Sequence, residues 1–406
     1  MDYNKRSLEL HSEHRGKWGT VSKVPVTNKD ELSLAYTPGV AAVCEAINKD
    51  VDAAYSLSMK GNTIAIVSDG SAVLGLGNIG PEAALPVMEG KAILFKQFAG
   101  IDGVPVVLNT SSAAEIIATV KAIAPGFGGI NLEDIAAPAC FEIEDALQDI
   151  GIPVFHDDQH GTAIVLYAAL INACRVTGKS IKDLTVVING AGAAGVAIAK
   201  MLKGVGCPSG SCESVKDIYV CDSKGIISAD REDINLQKRA LLSFSNEENR
   251  SGDLRDALID TDVFIGVSKG NLLEGRDIKL MAKKPFIFAL ANPTPEIMPE
   301  LAIEAGAAIV ATGRSDFPNQ ANNLLAFPGI FRGALSAKAS RITGAMKLAA
   351  AYGLADVVDE SALRADYILP NALDRSVALV VAEAVEKAAR AEIEKVVPLK
   401  KVASVV

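Results

Sequence analysis

The order of signals between Leu184 and Asp222 constrains the fold more than any other feature of the chain. An apolar strand, Leu184-Thr185-Val186-Val187-Ile188, runs into Gly190-x-Gly192-x-x-Gly195. A small-residue helix over 196–202 follows, and then a second strand, Ile218-Tyr219-Val220-Cys221, that ends in Asp222. Strand, glycine turn, helix, strand and acid in that order mark the dinucleotide-binding half of a doubly wound parallel sheet. The glycines let a pyrophosphate approach the backbone at a helix N-terminus, and an acid at the next strand end can bind ribose hydroxyls. Gly190, Gly192, Ala193, Ala194, Gly195 and Asp222 are therefore candidate cofactor contacts. The acid favours NAD, whereas Ser223 and Lys224 beside it can accommodate the 2′-phosphate of NADP, so both cofactors stay open.

A second parallel unit precedes it. Gly129-Ile130-Asn131-Leu132 runs into Glu133-Asp134, and Ile152-Pro153-Val154-Phe155 runs into His156-Asp157-Asp158. Between them, 138–150 reads as a crossover helix with Phe141, Ile143, Leu147 and Ile150 on one side. A right-handed βαβ crossover makes the strands parallel and brings their carboxyl ends to one sheet edge. Glu133, Asp134 and Asp158 are thus expected to converge. Crowded carboxylates repel unless a cation sits among them, and oxygen-only donors suit Mg²⁺ or Mn²⁺. A solvated loop acid or helix cap is the ordinary role of a single such pair, but two pairs at equivalent strand ends favour a metal. Asp157 adjoins this group, and His156 and His160 read as structural hydrogen-bonders rather than ligands.

Composition sets outer limits. A net charge of −9 and a pI near 5.2 argue against a nucleic-acid surface or an anionic membrane as partner. Residues 1–17 are polar and charged, and no apolar run is long enough to span a bilayer, so a cytoplasmic protein is expected. Six cysteines in 406 residues, at 44, 140, 174, 207, 212 and 221 and without a C-x-x-C pair, read as reduced thiols.

The rest of the chain fits an α/β protein of two domains: a parallel-sheet substrate and metal domain over 1–163, and a Rossmann-type dinucleotide domain with C-terminal helices over 164–406. A long helix from Gly161 to about Val176 joins them and leads to a boundary turn at 178–183. Tyr36, just before Pro38, lies in a rigid loop, either as a buried structural side chain or as a functional phenol. The strand 63–67 enters Gly75-x-Gly77-x-x-Gly80, which no acid-ending strand follows at the distance a ribose contact needs, so it reads as a substrate or phosphate loop. Lys91, in a mostly apolar helix over 81–98, either snorkels or acts as a desolvated base. Strands at 263–266, 286–290 and 308–311 follow. Asn292 ends the second of these beside Pro293, either as a ligand contact or as a turn former. The amide-rich run 313–323 precedes two helices, about 331–352 and 373–394.

Several of these stretches together resemble the malic enzymes in their short bacterial form. They are Tyr36-Thr37-Pro38-Gly39-Val40, Gly75-Leu76-Gly77, Glu89-Gly90-Lys91, Leu132-Glu133-Asp134, His156-Asp157-Asp158-Gln159-His160-Gly161-Thr162-Ala163, the Gly190 turn, Ala291-Asn292-Pro293-Thr294 and the run from Gly313 to Gly329. The resemblance implies that Glu133, Asp134 and Asp158 bind the metal, that Tyr36 and Lys91 form the acid–base pair, and that Asn292 and Asn322 contact substrate, Asn292 also facing the cofactor. It implies oxidative decarboxylation of malate to pyruvate with NAD or NADP, and a homo-oligomer, dimer or tetramer. A neutral Lys91 would take the hydroxyl proton, and Tyr36 would protonate the enolate left by carbon dioxide. Two positions depart from the family pattern: Asn78 follows Gly77 where an acid is usual, and Ala72 stands where larger malic enzymes carry an arginine. The rival readings are a metal-independent amino-acid dehydrogenase with a lysine base, and a nicotinamide-cofactor sensor without catalysis.

Overall fold

The computed structural model describes residues 2–73, 76–207 and 212–403. Two sheets carry the chain. The first is wholly parallel, with β1 (Thr63–Ser68), β2 (Asp102–Val107), β3 (Gly129–Leu132) and β4 (Val154–His156) in the order β2-β1-β3-β4. Every residue of β1, β3 and β4 is buried, because helices cover both faces and the strands can be apolar along their whole length. The register sets Leu132 opposite His156, so the acids that follow each of them start level at one edge.

The second sheet comprises β5 (Thr185–Asn189), β6 (Asp217–Asp222), β7 (Gly225–Ile226), β8 (Val263–Gly266), β9 (Phe286–Ala289) and β10 (Ile309–Thr312). Its order is β10-β9-β8-β5-β6-β7, parallel throughout except at the β6–β7 pair. The chain leaves β5 towards β6 and returns to β8 on the other side. That reversal opens a crevice above the carboxyl end of β5, where dinucleotides bind in such sheets. The α/β, two-sheet architecture expected from the sequence is therefore present.

Several element bounds differ from expectation. The helix expected from Gly161 begins at Asp157 and runs to Thr177, with no loop after β4. Asp157 and Asp158 thus occupy its first turn, where unpaired N–H groups and the helix dipole favour negative charge. From Ala163 to Cys174 every residue of this helix is buried, and it packs against the helices Ala193–Leu202 and Gly344–Asp356. It is the shared wall of the two sheets. The single helix expected over 331–352 is two, Phe327–Ser336 and Gly344–Asp356, because Lys338 takes a left-handed φ of 50° and Thr343 caps a new start.

The C-terminal helices return to the first sheet. Phe327 and Phe331 meet Phe95 edge-on, with ring centroids 4.7 and 5.4 Å away, and Phe95 lies on the helix Pro81–Ala99 that covers that sheet. One continuous core accordingly contains Ile64 and Phe95 together with Val186 and Ile188.

The expectation of reduced thiols fails at Cys207 and Cys212, which form a disulfide with Cα atoms 6.4 Å apart. The spacing of these two cysteines carries no pairing signal in the sequence. Cys44, Cys140, Cys174 and Cys221 are free thiols. Among the described residues, no helix is long and apolar enough to cross a membrane.

Candidate active site

The two strand ends meet as the register requires. Glu133, Asp134 and Asp158 each offer an oxygen, and these oxygens lie within 4.8 Å of one another. Asp134 takes a positive φ of 55°, and its backbone N–H donates to Asp158 Oδ2 at 2.8 Å, which ties the end of β3 to the helix that follows β4. Three hard oxygen donors at this spacing fit a divalent ion of the Mg²⁺ or Mn²⁺ type, with room for other ligands to complete its shell.

Lys91 enters from the Pro81–Ala99 helix. Its ammonium lies 2.6 Å from Asp157 Oδ2 and 2.8 Å from Glu133 Oε1, and 4.2 Å above the ring of Phe327. Asn323 also donates to Asp157 Oδ2, and Asn131 donates to Glu133 Oε2. Burial alone would lower the pKa of Lys91, but Asp157, Glu133 and Asp158 outweigh it and hold the ammonium above its ordinary value. This corrects the neutral lysine expected from an apolar helix: the sequence shows the helix but not the acids facing it. Burial raises the carboxyl groups as well, Glu133 and Asp157 each to about 7, although Lys91 opposes the rise.

A side chain at position 161 would strike Asp157, its Cβ falling 2.0 Å from Oδ1, so the glycine makes room for the acid one turn earlier. Behind the acids, Glu144 of the crossover helix Ala139–Leu147 accepts the backbone N–H of His156 at 3.2 Å and pairs with His160 Nε2 at 2.8 Å. His160 is thus the structural partner expected. The His156 ring is fully buried, and burial lowers its pKa to about 4, so it is neutral.

Tyr36 does not join this cluster. It caps the short helix Lys29–Ala35 and is 68% exposed, with no hydrogen bond to Lys91 or the acids among the described residues, so it is not the buried tyrosine that was the alternative. None of the helical segments from Tyr3 to Leu57 has a buried residue, which leaves this whole segment on the surface. Asn322 Oδ1 accepts Leu324 N–H at 2.9 Å in its own turn, and it is the next residue, Asn323, that reaches Asp157. Neighbouring amides in one run gave no basis for telling the two apart. Gly75 lies outside the described residues; Gly77 and Gly80 have positive φ, in a loop closed by Val73 N–H to Gly77 O. Ala72 N–H donates to Asp134 O at 2.9 Å, so a small residue abuts the acids where a cation was absent in sequence.

In the second sheet the glycine turn follows β5. A Cβ on Gly195 would lie 1.8 Å from Gly190 O, which explains why helix and turn can close there only with glycine. The helix Ala193–Leu202 has no acid in its first turn and presents its N-terminus at the crevice. Asp222 stands at the end of β6, yet its acceptors are filled. Oδ1 takes Lys224 N–H at 2.9 Å and Arg231 Nη1 at 2.8 Å, and Oδ2 takes Arg231 Nη2 at 3.0 Å and Lys238 Nζ at 2.6 Å. A carboxylate has about four lone-pair positions, so none remains for ribose hydroxyls while this arrangement holds. Asp222 holds a pair of cations, Arg231 and Lys238, which lie 9 and 16 residues further along the chain.

Known proteins resemble the chain along nearly its whole length. Residues 15–148 match the family described as malic enzyme, N-terminal domain, and residues 159–390 match malic enzyme, NAD binding domain. A bifunctional malic/malolactic enzyme of Bacillus subtilis is 55% identical, over 96% of this chain and 93% of its own length. The crystal structure of an NAD-dependent malic enzyme from Thermotoga maritima superposes with a TM-score of 0.89 at 50% identity, covering 94% of this chain and 98% of the other. A malic enzyme from Pyrococcus horikoshii gives 0.90 at 45% identity, covering 96% and 91%.

Proposed function

The chain belongs to the malic enzyme family, and from that premise we propose that it oxidises and decarboxylates (S)-malate to pyruvate and carbon dioxide while reducing NAD or NADP. The observation that carries the reading is the meeting of Glu133, Asp134 and Asp158 beside Lys91 at the ends of β3 and β4. Glu133, Asp134 and Asp158 are the proposed ligands of Mg²⁺ or Mn²⁺. When bound, the ion supplies Lewis-acid polarisation of substrate oxygens and, by its charge, favours the neutral form of Lys91.

The chain's own groups then have separate tasks. Lys91, once neutral, accepts the proton of the substrate hydroxyl as hydride leaves the carbinol carbon for the nicotinamide. Asp157 and Asn323 hold the lysine in line and stabilise its ammonium after transfer. Asn292 and Asn322 supply amides for substrate and nicotinamide. The dinucleotide lies over Gly190, Gly192, Ala193, Ala194 and Gly195, with its adenosine ribose near Asp222, Lys224 and Lys238. In this division residues 1–163 serve substrate and metal, and 164–406 serve the dinucleotide.

Tyr36 enters from a second copy of the chain. The segment that carries it exposes Leu8, Val21, Val24, Leu32, Leu34 and Val51 to solvent, an apolar surface suited to an interface between copies. A homo-oligomer in the cytoplasm, with the phenol crossing from one subunit to protonate the enolate in the other, accounts both for the exposed tyrosine and for the buried lysine. An assay at 340 nm with malate, Mn²⁺ and each cofactor tests the activity. Pyruvate-forming reduction that EDTA abolishes is expected, and turnover that survives exhaustive EDTA would favour a metal-independent dehydrogenase.

A further inference from the structure

A cleft of about 660 Å³ opens at the carboxyl ends of β9 and β10, lined by Asn292, Arg314, Ser315 and Gln320 together with the carboxylates Asp2 and Asp316. Its polar groups are largely unused. The side-chain amides of Asn292 and Gln320 make no hydrogen bond among the described residues, and Asn292 has its place because Gly313 beside it lacks a Cβ. Arg314 is held in orientation. Its Nε and Nη2 donate to Asp316 at 2.8 and 2.6 Å, and Nη1 donates to Pro293 O at 3.1 Å. That leaves one N–H on each terminal nitrogen without an acceptor among the described residues.

The cleft is joined to the acids by one short run of chain. Gln320 is bridged to Thr312 at the end of β10, and Asn323, three residues later, touches Asp157. Three residues of chain span at most ~11 Å, so Gln320 lies within that distance of Asn323. The charge balance there is also distinctive. Among the described residues Glu133, Asp157 and Asp158 face the ammonium of Lys91, and Ala72 adds no charge. Even with a divalent ion bound, such a cluster offers little surplus positive charge to a dianion, whose second carboxylate needs a cation of its own.

We propose that Arg314 is the carboxylate-binding residue that selects a dicarboxylic over a monocarboxylic 2-hydroxy acid, oriented by Asp316 and Pro293 and flanked by Asn292 and Gln320. The inference rests on the malate-oxidising reading and adds to it the group that recognises the carboxylate remote from the reacting carbon. Arg314 touches substrate in this scheme and takes no part in proton transfer.

The test compares the full-length parent enzyme with Arg314→Ala and Arg314→Lys under saturating Mn²⁺, with malate and with lactate, which lacks the second carboxylate. The expected result is a rise of about tenfold or more in KM for malate in Arg314→Ala, partly recovered in Arg314→Lys, with KM for the dinucleotide within about twofold of the parent. Lactate turnover, weak in the parent, should fall no further, so the preference for malate over lactate collapses. An unchanged KM for malate overturns the inference, as does a loss that appears instead in KM for NAD or NADP. A parent inert towards malate removes the underlying reading and this inference with it, whereas an active parent with an unaffected Arg314→Ala variant overturns this inference alone. Thermal unfolding of each variant separates loss of fold from loss of binding, and the lysine variant, which keeps the charge, still decides the question if the alanine variant does not fold.

Discussion

Lys91 Nζ lies 2.6 Å from Asp157 Oδ2, although 66 residues separate the two in sequence and one of them sits on a helix that precedes β2. The contact makes a charged pair out of a lysine that its own helix would leave neutral. It also couples the first turn of the Asp157–Thr177 helix to the helix covering the other face of the site.

Removing either partner should therefore affect catalysis before it affects binding. Lys91→Ala is expected to lower kcat by about 10²- to 10⁴-fold, with KM for the dinucleotide little changed. Asp157→Asn should lower kcat less and shift the acidic limb of the rate profile to lower pH, because the carboxylate that favours the ammonium over the neutral base is gone. Steady-state kinetics across pH 6 to 10 with Mn²⁺ check both.

Metal affinity should depend on pH in a defined direction. Glu133 has its pKa raised to about 7 by burial, so part of the population carries a proton at neutral pH that a cation must displace. Mn²⁺ should bind more tightly as pH rises from about 6 to 8 and level off above that. Calorimetry in buffers of different ionisation enthalpy should report proton release. Glu133→Gln should weaken binding and remove most of the pH dependence.

Because the same ion binds the folded chain alone, it should stabilise it. At a concentration of 100 times Kd the gain is about 2.7 kcal/mol, read as a shift of the denaturation midpoint. Asp158→Asn should lose both the shift and the turnover of malate. A midpoint that Mn²⁺ moves equally in Asp158→Asn and the parent would count against this carboxylate as a ligand.

Asp222 has its pKa lowered to about 2: burial works against the shift, and the hydrogen bonds from Arg231 and Lys238 overcome it. Since the folded-state value lies below the ordinary one, the stabilisation is present above about pH 4 and is lost as pH falls towards 2. Asp222→Asn should be less stable at pH 7 and should show a flatter stability curve over that acid range. Lys238 itself predicts a second effect. Lys238→Ala should reduce kcat/KM for NADP more than for NAD, because only NADP brings a phosphate to that end of the crevice.

For Tyr36 the decisive experiment uses two inactive proteins. Tyr36→Phe and Lys91→Ala subunits, mixed and allowed to exchange, should recover up to about a quarter of parental activity if a site takes one residue from each copy of a symmetric dimer. No recovery, with exchange demonstrated by light scattering of tagged subunits, would return Tyr36 to a role within its own chain.

Much was legible in the sequence because it depends on local pattern. Parallel strands buried on both faces read as apolar runs, and the acids after β3 and β4 lie where parallel connections must deliver them, so the grouping of Glu133, Asp134 and Asp158 followed from strand order alone. The glycine turn after β5 and the acid ending β6 were legible for the same reason. What only the tertiary structure decided involves partners distant in sequence or orientations that spacing does not specify. Asp157 and Glu133 fix the charge on Lys91, Arg231 and Lys238 occupy Asp222, Asn323 rather than Asn322 reaches the acids, and Tyr36 stands outside the cluster. A side chain's chemistry is set by what faces it, and the facing groups come from elements that the chain brings together only after it has folded.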